Sequence, residues 1–245
     1  MKAMILAAGF GKRLRPLTDT LPKPMVPVNG KPLIQYHVER LAEAGIRELV
    51  INTAWLGEQI EQHLGDGSEF GVSIRWSREL QPLETGGGIY KALPLLGEEP
   101  FVLVNGDIWS DYAFTHLSNF VLGAERDVHL VLVPNPEHHP AGDYCLDDRA
   151  KHGDKGVSLR GDRGDSFTFS GISVINPGLI TDFVQSQIQG PVHTQRGEED
   201  QPIFPLRDAL QLAIVRDRVT GEVFDGYWCD VGTPQRLAGL EQRFK

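Results

Sequence analysis

MKAMILAAGFGKRLRPLTDTLPKPM, residues 1–25, decides the fold class. Lys2–Ala8 is a short apolar run and reads as a strand. Gly9 and Gly11 end it in a turn, Arg13 follows, and Lys23 stands between Pro22 and Pro24. A strand feeding a glycine-rich turn presents backbone N–H groups and lets the backbone approach phosphate closely. A guanidinium and an ammonium nearby supply the charge that a triphosphate requires. The turn is not a Walker loop, because no G-K-[ST] follows at the right spacing. Nor is it the dinucleotide fingerprint, because Arg15-Pro-Leu-Thr18 replaces the third glycine and the helix start. By itself, Gly-x-Gly fits a plain tight turn equally well.

The chain of 245 residues suits one large domain or two small ones. No apolar run approaches the roughly 20 residues of a membrane span, and the apolar start is too short for a signal peptide. The expectation is a cytoplasmic protein with no membrane partner. Cys145 and Cys229 have no metal or redox spacing. A net charge of −9 argues against a nucleic-acid surface. It also means that polyanions reach Arg13 and Lys23 against the overall field, so a divalent cation is expected to help.

Strands and helices alternate over the first half. Strands are predicted at Lys2–Ala8, Glu48–Asn52, Val72–Trp76 and Phe101–Val104, and helices at Pro32–Ala44, Leu56–Leu64 and Gly87–Leu95. This order predicts an α/β fold, a Rossmann-like mixed, mostly parallel sheet with helices on both faces. Ligands then bind beyond the carboxyl ends of the strands, where Gly9, Gly86 and Asp107 fall. In the second half, strands are predicted at Val128–Val133 and Thr168–Val174, and a segment ending in a strand at Glu222–Val231. Helices are predicted at Gly178–Gln187, Phe204–Ala213 and Thr233–Arg243. Asn135–Asp165 reads as loops with short strands, and Gly190–Gln201 as a polar, mobile loop.

Three further segments carry chemistry. In Leu83-Glu-Thr-Gly-Gly-Gly-Ile89, glycines before a helix permit close approach of a flat base or phosphate to free N–H groups. A flexible loop capping the helix is the plainer alternative. In Phe101-Val-Leu-Val-Asn-Gly-Asp-Ile108, an apolar strand delivers Asn105 and Asp107 to the sheet edge. An aspartate there suits Mg²⁺ or a simple turn, and the Asn105 amide suits a sugar hydroxyl or acyl group. In Trp228–Leu237, Asp230 precedes a Gly turn and a helix that Thr233 already caps. Two carboxylates can share one Mg²⁺ while phosphate oxygens and water complete six positions. His138 and His139 default to a solvated loop. Asp143, at a strand start, suits sugar hydroxyls, and Gly171 within a strand suggests close approach of a ligand.

Gly9–Pro24 resembles the signature G-x-G-x-R-[LM]-x-P-L-T-x-x-x-P-K-P of sugar-1-phosphate nucleotidyltransferases, and Trp228–Leu237 resembles that family's W-x-D-V-G-T-x-x-R-L ending. Within the family, Ala54–Gly57, Pro82–Gly88, Asn135–His139 and Gly142-Asp143 are similar to the short bacterial uridylyltransferases acting on N-acetylmuramate α-1-phosphate in cell-wall recycling. The resemblance implies one domain over 1–245, with a nucleotide half (1–110) and a sugar half (111–245). The β-helix tail of some relatives is not expected, since no hexapeptide repeats occur. It implies nucleotide contacts from Ala8, Gly9, Gly11, Lys12, Arg13 and Lys23, and base contacts from Thr85, Gly86 and Gly87. Asn105, Asp143 and Gly171 would meet the sugar, and Asp107 and Asp230 would hold Mg²⁺. UTP and a sugar 1-phosphate are the implied substrates, with Arg13, Lys23, Asp107 and Asp230 as the catalytic set. Glucose or mannose 1-phosphate with another nucleotide, or a non-catalytic nucleotide-sugar sensor, are the alternatives. Gln189–Pro202 is longer and more polar than in compact members. A monomer is the default oligomeric expectation.

Overall fold

Ala3, Met4 and Ile5 of strand β1 (Lys2–Leu6) are fully buried. A strand apolar on both faces belongs inside a covered sheet. In the computed structural model, which describes residues 1–147, 155–161, 165–189, 195–197 and 200–245, β1 is central. It pairs in parallel with β2 (Glu48–Thr53) and β4 (Phe101–Asn105), and β2 pairs in parallel with β3 (Ser73–Arg78). Helices α1 (Leu33–Glu43), α2 (Gly57–Leu64) and α3 (Glu84–Leu96) make the crossovers.

The second half adds β5 (Val128–Val133), β6 (Tyr144–Asp147), β7 (Lys155–Leu159), β8 (Ser166–Ile175) and β9 (Val219–Val223). The sheet order is β3-β2-β1-β4-β8-β5-β9-β7-β6. Four of its pairings are parallel and five antiparallel. The mostly parallel expectation therefore describes β1–β4 and not the whole sheet. β6, β7 and β8 follow one another with no helix between them among the described residues, and short connections favour antiparallel neighbours.

Helices cover both faces. Ile34, Val38 and Leu41 of α1 and Ile60 and Leu64 of α2 pack on one. α3, α5 (Pro177–Gln189) and α6 (Leu206–Val215) pack on the other. A single helical turn, α4, spans Thr115–Ser118, and α7 (Pro234–Gln242) closes the chain, capped by Thr233 as expected. No described helix is long and apolar enough to cross a membrane.

Two elements differ from the sequence expectation. α3 starts at Glu84 and not Gly87, because its glycines are buried inside the helix. The expected Glu222–Val231 strand is two pieces: β9 ends at Val223, and Trp228–Asp230 pairs antiparallel with Ile108–Ser110 in a separate ribbon. Asp225 and Gly226 break the run between them. Most of the polar 190–201 loop lies outside the described residues, although Gln195–Arg196 pairs with Pro202–Ile203.

Behind that ribbon, His37 of α1 is buried and hydrogen-bonded to the Ile108 backbone, and its Nε2 has no partner among the described residues. Burial, reinforced by the Arg40 charge, pushes its pKa from 6.5 down to about 4. The neutral form is favoured in the fold, so stability is fully present above pH 6.5 and is lost as pH falls toward 4. Urea denaturation at pH 7 and pH 4 is expected to show wild type losing about 3 kcal/mol more than His37→Gln over that interval.

Candidate active site

β1 delivers the chain at Leu6 to the carboxyl edge of the sheet, where Ala7, Ala8, Gly9 and Phe10 line a cavity of about 310 Å³. Lys23, Asn105 and Asp107 line it too. Gly11 does not; it sits at φ 64°, where a Cβ would fall 3.0 Å from Lys23 Cβ and 2.9 Å from Thr18 Cγ2. Glycine there lets the loop close on Lys23, and the Thr18 hydroxyl secures it by donating to the Gly11 carbonyl at 2.8 Å. Lys23 is buried, and its ammonium pairs with the Asp107 carboxylate. Lys12 and Arg13 are exposed beside the cavity. Lys12 Nζ lies 5.4 Å from the Phe10 ring centroid. The Arg13 guanidinium reaches Gly232, where an added Cβ would stand 3.2 Å from Arg13 Nη2 and 3.0 Å from Asp230 Oδ2.

The ribbon brings Asp230 to Asp107. Asp230 pairs with Ile108, and the Val231 amide donates to the Asp107 carbonyl at 2.8 Å. Asp230 thus ends a ribbon strand and not a strand of the main sheet, and the ribbon brings its backbone beside that of Asp107. Asp230 Oδ2 lies 3.0 Å from Arg236 Nη2. Its Oδ1 is buried and accepts no hydrogen bond, with His138 Nε2 3.1 Å away. A buried carboxylate oxygen that accepts no hydrogen bond among the described residues, on a strand paired next to Asp107, suits a hard divalent cation. No cluster of three or more acidic, His or Cys side chains suited to a metal occurs among the described residues.

At the far side of the cavity, the exposed residues Glu84 and Thr85 line the wall. Gly86 and Gly87 are buried, and both amides donate to the Phe204 carbonyl, at 2.9 and 3.1 Å. Their N–H groups are not free for a ligand: a Cβ on Gly86 would run into the Phe204 ring, so these glycines serve helix packing. Sequence reasoning also missed Glu79. It is buried in the cavity wall, accepts from Asn52 Nδ2 at 2.7 Å and from the Leu83 amide at 2.9 Å, and burial raises its pKa. Asn52 in turn accepts from the Ala7 amide at 2.8 Å, which fixes the loop after β1.

Thr85 and Asn105 also line a second cavity of about 320 Å³, together with Asp143. Asp143 Oδ1 is 3.0 Å from His139 Nε2, and its Oδ2 accepts from the Phe169 amide at 2.9 Å. His138 and His139 are thus neighbours of two site carboxylates and not merely a solvated loop. Gly171 lines neither cavity. At φ 83°, the space of its missing side chain is filled by Asn105, whose Nδ2 and Cγ would lie 2.7 and 2.8 Å from an added Cβ. Gly171 therefore positions Asn105. Arg207, in the same cavity, was also missed. A lone charged residue on a surface helix carries no pattern that marks it.

A sheet whose carboxyl edge opens on a cavity beside a glycine loop defines an α/β nucleotide-binding protein. Residues 2–146 match the nucleotidyl transferase family, and the chain belongs to it. It is 45% identical to the N-acetylmuramate alpha-1-phosphate uridylyltransferase of Neisseria meningitidis, over 97% of this chain and 95% of that one. It is 31% identical to the mannose-1-phosphate guanyltransferase of Schizosaccharomyces pombe, over 96% of this chain but 62% of that one. Its fold matches that of a Bacillus anthracis protein assigned as a glucose-1-phosphate thymidylyltransferase and crystallised with sucrose. The TM-score is 0.80 at 19% identity, covering 99% of this chain and 94% of the other. The expectation of a sugar-1-phosphate nucleotidyltransferase is met.

Because Gly171 admits Asn105, Gly171→Ala should push that amide out of place. Steady-state kinetics are expected to show kcat/KM for the sugar phosphate falling about tenfold or more, with KM for the nucleotide little changed.

Proposed function

We propose that the protein transfers a uridylyl group from UTP to N-acetylmuramate α-1-phosphate, releasing pyrophosphate, in cytoplasmic cell-wall recycling. The observation that carries this is the 45% identity to the Neisseria meningitidis enzyme over nearly the full length of both chains. The divided cavity agrees with it: the nucleotide takes the side of Ala8, Gly9 and Thr85, and the sugar takes the side of Asn105 and Asp143. The 1–110 half then serves the nucleotide, and the 111–245 half serves the sugar and supplies Asp230.

The sugar phosphate oxygen attacks the α-phosphorus of UTP in line. A new P–O bond forms as the bond to the β-phosphate oxygen breaks. The attacking group is anionic at neutral pH, so no general base is required. The work of the protein is positioning and charge compensation. Lys23, buried and fixed by Gly11, is aimed at the phosphates near the reacting centre. Arg13, with Lys12 beside it at the rim, faces the β- and γ-phosphates and compensates the departing pyrophosphate. Asp107 and Asp230 would hold Mg²⁺. Bound there, the ion neutralises negative charge on the phosphate oxygens. Asn105, held by Gly171, reaches the sugar or its acyl group, and Asp143 accepts from sugar hydroxyls.

Mass spectrometry of products formed from mixed nucleotides and sugar 1-phosphates tests the assignment. UDP-N-acetylmuramate is the expected product. GDP-mannose as the main product would move the protein to the guanyltransferase branch, and no pyrophosphate release with any pair would make it a nucleotide-sugar sensor.

Two variants test the residue roles. Asp107→Asn is expected to lower turnover about a hundredfold or more, with wild-type activity abolished by chelator and restored by Mg²⁺. Near-normal turnover would remove Asp107 from the metal site. Arg13→Ala is expected to weaken UTP binding in calorimetry while sparing UDP-sugar, which lacks the β,γ-pyrophosphate leaving group. Equal losses for both ligands would contradict the leaving-group role.

A further inference from the structure

The second cavity carries one cation, Arg207, whose single ion pair among the described residues is a long one. Arg207 is the second residue of α6, and its side chain is 71% exposed. Its nearest acid is the adjacent Asp208, whose Oδ1 lies 4.0 Å from Nε, and no other ion pair forms among the described residues. The backbone beneath it is fixed. The Leu206 amide donates to Thr85 Oγ1 at 2.7 Å, and the Asp208 amide donates to the Pro205 carbonyl at 3.1 Å. Thr85 also lines the nucleotide cavity, so Arg207 keeps a set place relative to the nucleotide site.

Thr85, Asn105 and Asp143 are the other polar residues of the wall, and the remainder is largely apolar. Tyr144, Phe169, Leu206 and Leu210 supply it. Asp143 is engaged on both oxygens, by His139 and by the Phe169 amide. The charges of Asp143 and Arg207 both reach the Tyr144 phenol, whose pKa is pushed up to about 12 mainly by burial, the acid raising it further and the cation opposing. The cavity thus presents a guanidinium whose one described ion pair, to Asp208, is long, beside an apolar patch. A planar guanidinium binds a carboxylate through two parallel hydrogen bonds, and an apolar patch suits a methyl group.

A lactyl ether offers both groups, a carboxylate and a methyl. It is the substituent by which N-acetylmuramate differs from N-acetylglucosamine. The phosphate of the sugar is not the anion in question, because it must reach Lys23 and Asp107 on the other side of Asn105. We propose that Arg207 recognises the lactyl carboxylate of the sugar substrate and sets the preference for muramate over glucosamine. This assignment rests on the function proposed above.

The test compares N-acetylmuramate 1-phosphate with its lactyl methyl ester, in the wild type and in Arg207→Ala and Arg207→Gln. The wild type should favour the free acid about 10- to 100-fold in kcat/KM, mostly through KM, the scale of a charge-assisted hydrogen-bonded pair. In both variants that ratio should collapse to within about twofold, because neither then offers the acid a cation that the ester cannot use. KM for UTP serves as the readout of an intact nucleotide site, and Arg207→Gln decides the matter if Arg207→Ala does not fold. A variant that keeps the wild-type preference, or a wild type that shows none between acid and ester, overturns the role of Arg207 alone. A wild type that does not use the muramate compound at all overturns the proposed function and this assignment with it.

Discussion

Asp107 and Asp230 come from opposite halves of the chain and are brought next to each other in the backbone because Ile108–Ser110 zips to Trp228–Asp230, with the Val231 amide closing on the Asp107 carbonyl. A two-stranded ribbon is marginal alone, so it needs support from outside itself. Trp109 supplies part of it, edge-on to Tyr36, Tyr227 and Phe244, with the Arg40 guanidinium over its ring. Trp228 supplies more by donating from Nε1 to the Ser170 carbonyl at 2.8 Å, which ties the ribbon to the main sheet. His37 fills the space behind Ile108 as a neutral ring. Lys23 and Arg236 then each offset one of the two acids. Removing the ribbon would separate the halves chemically even if the sheet stayed whole.

The nucleotide side of the site was legible because its parts are local in sequence. Gly9, Gly11, Arg13 and Lys23 fall within one short run, and a strand followed by Asn-Gly-Asp points Asp107 at the sheet edge by alternation alone. Strand direction was not legible. The apolar pattern of Ser166–Ile175 is the same whether the strand runs with or against its neighbours, and the short connection from the strand before it is what favours the antiparallel arrangement. The Gly86–Gly88 run was ambiguous for a similar reason. Glycines that admit a ligand and glycines that admit Phe204 leave the same mark in the sequence.

The roles of Glu79 and Arg207 could not be read from spacing, because each depends on what the fold lays against it. Glu79 is an acid at the end of a strand until Asn52 and the Leu83 amide close on it. Gly171 belongs to the same class. Its backbone conformation signals a close approach, but the approaching group is Asn105 and not a ligand. Sequence marks the constraint, and the structure names the partner.

These contacts share one electrostatic logic. The chain carries a net charge of −9, yet it must gather anionic phosphates at one edge of a sheet. A general positive surface is not how it does so. Lys23 is buried and paired, so its charge is held in place instead of spread into solvent, and the glycine at position 11 fixes where it lies. Charges fixed before the ligand arrives need no reorganisation during the reaction, which is what makes preorganised groups effective on a developing transition state. Asp107 and Asp230 are each paired with a cation, Lys23 and Arg236, and the ribbon holds the two pairs next to one another. The overall negative field then acts as a filter: only a ligand whose phosphates reach all of these groups together recovers the cost of entering it.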